Sequence, residues 1–141
     1  MKFLLMGFLM ISSFLQPKAG LEGFLRESRG NQMGKQKPFE ISGHPFSSKI
    51  YLYKKLSSID LVGLEGNWCD SVQQKPYKII QTDNKGYFKI NLIPGKYMVL
   101  IGAYDGFFIP YFDQNNQPAS ITIQSGKVEQ MKILVNSKAI Y

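Results

Sequence analysis

The chain has 141 residues, with 17 Lys and Arg against 10 Asp and Glu, one His, one Cys and a formal charge of +7. That length and a hydrophobic share of 44% predict one domain with enough aliphatic and aromatic side chains for a single core. One Cys and one His cannot assemble a Cys/His zinc set. With no RNP-type aromatic motif, basic helix or dense Lys/Arg run, the charge suits solubility or weak attraction to anionic envelope polymers better than nucleic-acid reading.

Met1 and Lys2 precede an apolar run over 3–15 that is interrupted by Gly7, Ser12 and Ser13. The run is too short for a bilayer core, which needs about 20 apolar residues, so it reads as a secretory signal. Cleavage after the small Ala19 is preferred, with cleavage nearer Ser13 as the alternative. No Cys follows the run, which argues against a lipid anchor. The organisation expected is a signal peptide over 1–19 and one domain over 20–141. After leader cleavage no membrane span remains, and the chain is exported to the periplasm or the cell exterior. Removing 1–19 takes away Lys2 and Lys18 and no acid, so the mature chain stays basic.

Residues 21–26 predict a first strand, with Leu21 and Leu25 flanking Gly23 at a bulge or close backbone approach. The stretch 27–48 is rich in Gly, Ser, Lys and Pro without periodicity and reads as a long excursion. In Ile50, Tyr51, Leu52 and Tyr53 the two aliphatic residues face inward and the Tyr pair faces the other way. The segment 57–74 is the least legible: Leu61, Val62, Gly63 and Leu64 fit a short strand or a turn of helix, and Trp68 with Cys69 is ambiguous. After Pro76 a strand runs over 77–82.

The stretch 82–99 reads as turn, strand, turn, strand. Asp83, Asn84, Lys85 and Gly86 make a turn, because Asp and Asn bond nearby backbone and Gly accepts positive φ. Phe88, Ile90 and Leu92 then share one strand face, with Tyr87, Lys89 and Asn91 on the other. Pro94 and Gly95 reverse the chain into a strand carrying Tyr97, Val99 and Ile101 on one face and Met98 and Leu100 on the other. The expectation is one antiparallel hairpin. Tyr104, Phe107, Phe108, Tyr111 and Phe112 then crowd around Gly106 and Pro110. Residues 119–123 and 127–136 predict two further strands, joined by a turn at Ser125 and Gly126. Short strands, turn signals between them and no convincing amphipathic helix predict an all-β sandwich.

The spacing T-D-x-x-G-x-F-x-I-x-L-x-P-G-x-Y-x-V, carried by Thr82, Asp83, Gly86, Phe88, Ile90, Leu92, Pro94, Gly95, Tyr97 and Val99, resembles the signature of the carboxypeptidase-regulatory-like, or prealbumin-like, domain superfamily, which includes Cna-B-type modules. The chain is also similar to secreted single-domain bacterial members that open with Gly-Leu/Ile-x-Gly followed by G-N-x-M-P-G. Gly20, Leu21, Glu22, Gly23 and Gly30, Asn31, Gln32, Met33, Gly34 stand in those places, without the Pro. The resemblance implies a small antiparallel β-sandwich of about seven strands and no particular reaction. Transthyretin-related hydrolases of this fold use more than one His and a C-terminal Tyr-Arg-Gly-Ser, whereas this chain ends Lys138, Ala139, Ile140, Tyr141. Cna-B isopeptides join a first-strand Lys to a last-strand Asn; Asn136 is present, but Arg26 stands where the Lys would be needed.

Catalytic signals are weak. His44 is the only partner for a nucleophilic Cys69 or Ser, and no G-x-S-x-G elbow is present. Cys69 reads as a buried apolar thiol. Asp60 with Glu65 or Asp70 would matter as a carboxylate pair only at a suitable separation, and Asp83 or Asp113 with the nearby Asn residues reads as turn chemistry more than calcium ligation. No enzyme, metal or cofactor is expected. The candidate binding surface is the ring cluster Tyr104, Phe107, Phe108, Tyr111 and Phe112, which could anchor a protein or stack on sugars, or else cap the core. The expected role is a non-catalytic envelope module for an unidentified protein or glycan, with oligomerisation open.

Overall fold

The computed structural model describes residues 18–28 and 43–136. The apolar run, the 30–34 motif, most of the 27–48 excursion and the ending at Tyr141 lie outside the described residues. Within them the chain forms β1 (Gly20–Ser28), β2 (His44–Pro45), β3 (Lys49–Tyr53), a 3-10 turn at Ser58–Asp60, β4 (Leu61–Val62), β5 (Trp68–Cys69) and β6 (Ser71–Val72). There follow β7 (Lys78–Gln81), β8 (Tyr87–Asn91), β9 (Gly95–Ala103), β10 (Gly106–Phe108), β11 (Ser120–Ile123) and β12 (Val128–Asn136). Seven of these segments have four residues or more, and the whole is the small all-β sandwich that the alternation predicts.

One sheet is organised around β1, which carries β12 on one edge and β8 followed by β2 on the other. The other is organised around β9, with β3 and then β7 on one side and β11 and β10 sharing the second side, β10 leading on to β5. A small ladder of β4 and β6 lies apart. The pairings are antiparallel except for β1 with β12, which runs parallel from Gly20↔Val128 to Ser28↔Asn136. Gly23 permits this seam: a Cβ there would lie 2.0 Å from the Met131 carbonyl oxygen.

The expected hairpin over 82–99 is corrected by the structure. β8 pairs with β1, and β9 pairs with β3, β10 and β11 in the opposite sheet, so the segment between them crosses the sandwich as an arch. The local reason is visible in the backbone. The Leu92 N–H donates to Ala19 and continues the β8–β1 ladder, Pro94 has no N–H to offer, and Gly95 is already opposite Ile123 of β11. The Tyr97 hydroxyl donates to the Ile93 carbonyl at 2.5 Å and braces the arch. Alternation alone assigns faces correctly, because Phe88 and Leu92 from one sheet and Tyr97, Val99 and Ile101 from the other all enter the same core.

That core joins Leu21, Leu25, Met131 and Ile133 to Ile50, Leu52, Phe108 and Ile123 between the sheets. Each fully buried aliphatic side chain contributes about 1.5–3 kcal/mol of transfer free energy. A second cluster of Tyr53, Leu56, Leu61, Cys69, Leu100 and Ile109 lies on the far face of the β9 sheet. It explains why β9 is apolar on both faces: Val99 and Ile101 face the main core while Leu100 lies beneath the 54–74 segment.

Candidate aromatic surface at the end of the sandwich

β9 turns into β10 through Tyr104 and Asp105, which have φ of 51° and 65°. Two consecutive positive φ values in a two-residue loop describe a type I′ turn, which Asn-Gly normally supplies. A left-handed conformation costs an L-residue roughly 1–2 kcal/mol, and a bulky ring is an unusual occupant of it. Tyr104 is nonetheless held there, with the residue 46% exposed. Its ring lies 6.3 Å from Phe46 at an interplanar angle of 20°, and 5.8 Å from Trp68 at 55°. Trp68 in turn meets Phe108 at 5.2 Å. A continuous aromatic path thus leads from the core to solvent.

Each supporting ring has its own anchor. Trp68 is buried because β5 pairs with β10, placing Trp68 opposite Phe108. The loop before β5 is clamped by mutual backbone bonds between Glu65 and Trp68. A second clamp links Ile109 N–H to Asn67 O at 2.7 Å and Asn67 Nδ2 to Ile109 O at 2.8 Å. Phe46 is placed by its N–H donating to Leu25 O at 3.1 Å. Thr82, only 3% exposed, accepts from Ser48 N–H through Oγ1 at 2.8 Å, while the Ser48 hydroxyl donates to the Gly102 carbonyl. Ser48 therefore ties the chain after Phe46 both to Thr82 and to β9, the strand that leads into Tyr104.

The five predicted aromatics do not form one surface. Successive residues of β10 point to opposite faces, so Phe108 enters the main core at 3% exposure. Phe107 packs edge-on against Tyr51, 5.0 Å away, beside the second cluster. Phe112 is half-buried against the same cluster. Tyr111 is exposed, but its hydroxyl donates to the Lys132 carbonyl of β12 at 3.1 Å, across the sandwich edge. Only Tyr104 stands on the turn with a stacked, exposed ring. Sequence reasoning missed Phe46 and Trp68 as its partners, since one lies in an aperiodic stretch and the other in a segment with no clear alternation.

The motif residues take structural duties. Asp83 Oδ1 accepts from the N–H groups of Lys85 and Tyr87, both at 2.9 Å. Gly86, at φ 80°, abuts Leu25, whose carbonyl oxygen would lie 2.1 Å from an added Cβ. Phe88, Leu92, Tyr97 and Val99 are buried, and Ile90 is half-buried against the same core. Asp60 caps the 3-10 turn by accepting from Ser57 N–H at 3.0 Å, a local duty for that carboxylate. Cys69 is buried, and burial first, then Asp70, pushes its thiol up to about 11. His44 is exposed on β2, opposite Glu27. Arg26 lies opposite Leu134 and donates to the Gly43 carbonyl at 3.0 Å.

Among the described residues, no group of three or more His, Cys, Asp or Glu side chains is arranged to hold a metal ion. No described helix is long and apolar enough to cross a membrane. No protein-family model and no curated protein matches the chain.

Proposed function

We propose that this chain is an exported, non-catalytic module that holds a partner protein at the bacterial cell envelope through the surface around Tyr104. The observation that carries the reading is a large exposed ring maintained in a left-handed turn and backed by Phe46 and Trp68. Backbone strain is retained where the surroundings over-determine it, and binding sites are a common place for that. A rigid aromatic with few rotamers loses little entropy on binding and serves as an anchor. Export rests on the apolar leader in the sequence. The prealbumin-like assignment is supported by the ten spaced motif residues and their structural duties within an all-β sandwich.

The test is a photo-cross-linking amino acid placed at Tyr104 and, as a control, at Tyr111, in cells that express the full chain. A discrete protein adduct from position 104 and not from 111 supports the reading. With the partner isolated, Tyr104→Asn keeps a residue tolerant of positive φ and removes the ring. The expected result is a loss in affinity of about tenfold or more, equivalent to about 1.4 kcal/mol, with the melting temperature not lowered. Identical adducts from both positions, or undiminished affinity of Tyr104→Asn, would overturn it.

A further inference from the structure

The end of the sandwich away from Tyr104 is basic. β3 runs towards it and finishes at Tyr53, opposite Met98, so Lys54 and Lys55 leave the sheet there. β7 starts at that end with Lys78 opposite Leu52, and β9 starts there with Lys96 as its second residue. Tyr77, whose N–H donates to Leu52 O at 2.6 Å, gathers two of these cations: Lys54 Nζ lies 4.2 Å and Lys78 Nζ 5.6 Å from its ring centroid. The same ring meets that of Tyr97 at 5.8 Å, and the Tyr97 hydroxyl reaches the Ile93 carbonyl in the arch. Ile93 is 66% exposed, and Pro94 beside it is exposed as well. A cationic rim and an apolar tip are thus joined through two tyrosines.

Carboxylates do not balance this charge. Among the described residues, Lys54, Lys55, Lys75, Lys78 and Lys96 are exposed and in no ion pair. Asp60 borders the group, but its carboxylate accepts from Ser57 N–H at 3.0 Å and Gln74 Nε2 at 3.5 Å. Glu65, Asp70, Asp83 and Asp105 belong to the half of the molecule around Trp68, Tyr104 and Leu25. Glu22, Glu27 and Glu129 stand on β1 and β12 of the other sheet, and Asp113 accepts from the N–H groups of Asn115 and Gln117. Glu40, outside the described residues, is three positions from Gly43, which abuts Glu27 near the opposite end of β1, about 20 Å or more away. Two ammonium groups on one ring with no carboxylate between them favour an anion from outside.

We infer that this end docks on a membrane surface containing anionic lipids, with the lysines against the headgroup phosphates and Ile93 entering the headgroup layer. An interfacial site combines basic side chains with an apolar anchor, and both are present here. A soluble polyanion would match the lysines and leave Ile93 in water. Single-stranded nucleic acid stacks on open ring faces, whereas the Tyr77 ring is already taken by Tyr97 and the two ammonium groups. β9 spans nine residues, about 27 Å, between this end and Tyr104, so docking holds the aromatic surface well clear of the bilayer.

Co-sedimentation of the chain recovered after export with phosphatidylcholine vesicles, with and without about 30% phosphatidylglycerol, tests this. The expected result is partition onto the anionic vesicles that is about tenfold stronger or more and weakens with salt. Lys54→Gln with Lys78→Gln should lose about tenfold. Ile93→Ser, which leaves the charge unchanged, should lose about fivefold, and Ile93→Leu should retain the partition. Lys49→Gln with Lys85→Gln removes the same charge from the Tyr104 half and should change it by less than about twofold. Equal losses in the two lysine pairs would mean diffuse charge attraction and overturn the proposal. So would equal partition onto neutral vesicles, or undiminished partition of Ile93→Ser, which would describe a site for soluble polyanions. If Lys54→Gln with Lys78→Gln lowers the melting temperature, Lys55→Gln with Lys96→Gln decides the matter. Tyr104→Asn should partition as the native chain does, which separates this end from the partner surface.

Discussion

Asp83 and Asp113 fold two loops in the same way. Each Oδ1 accepts two backbone N–H groups, from Lys85 and Tyr87 in one loop and from Asn115 and Gln117 in the other. Three residues after each Asp comes a positive φ, at Gly86 and at Asn116. The first turn is legible in sequence because Asp followed by Gly has few alternatives, and the second follows the same logic with Asn in place of Gly. Replacing Asp83 by Ala hands both exposed donors to water and loses the turn's two bonds, which should cost about 1 kcal/mol, read as a lower urea midpoint at constant slope. Gly23 is more severe. A methyl group there meets the backbone of β12, which cannot move as a side chain can. Gly23→Ala should destabilise the fold by about 1–3 kcal/mol or more, measured in the same denaturation series.

At the level of elements, alternation places the residues of β8 and β9 on the faces that the structure buries, whereas the hairpin pairing it suggests between the two strands is replaced by an arch. Period-2 alternation reports which side of a strand is buried and is silent about which strand lies alongside. A hairpin and an arch bury the same residues here, and the difference lies in where the N–H and C=O groups of the strands go. Nuclear Overhauser contacts across the backbone should therefore join Leu21 to Ile90 and Leu52 to Val99, as the register requires. Contacts linking the β8 backbone to the β9 backbone over several residue pairs would show a hairpin and refute the arch. The same limit hid the candidate site. Aromatic crowding points to Tyr104, whereas its association with Phe46 and Trp68 depends on a turn, a loop and the short strand β5 meeting at one end of the sandwich.

For the whole molecule, the second cluster over the β9 sheet sets the response to alkali. Burial is the leading cause that pushes Cys69 up to about 11 from 9.0 and Tyr53 up to about 12 from 10.0. In both cases the unfolded chain loses its proton first, so the folded state binds more protons in that window. Stability is then full below about pH 9 and falls as pH rises towards 12. Glu22 works in the opposite sense: its lowered value contributes stability above the ordinary carboxylate range, and the contribution is lost as pH falls. Melting temperatures across pH should decline on the alkaline side from about pH 9. Cys69→Ala should reduce that decline, and native Cys69 should react with thiol reagents at pH 8 only as fast as the protein opens. An alkaline profile unchanged by the substitution would contradict the assignment.

The sequence by itself determined the all-β class, the positions of the turns and the inward side of most long strands. These follow from local chemistry: hydrophobic alternation, Asp and Gly turn geometry, and the missing N–H of Pro94. Only the tertiary structure decided the strand partners, the arch between the sheets, the parallel seam of β1 with β12 and the splitting of five aromatics among core, second cluster and solvent. Those are outcomes of long-range competition for backbone hydrogen bonds and buried area, and residues such as Phe46 and Tyr104, 58 positions apart in the chain, carry no local mark of meeting.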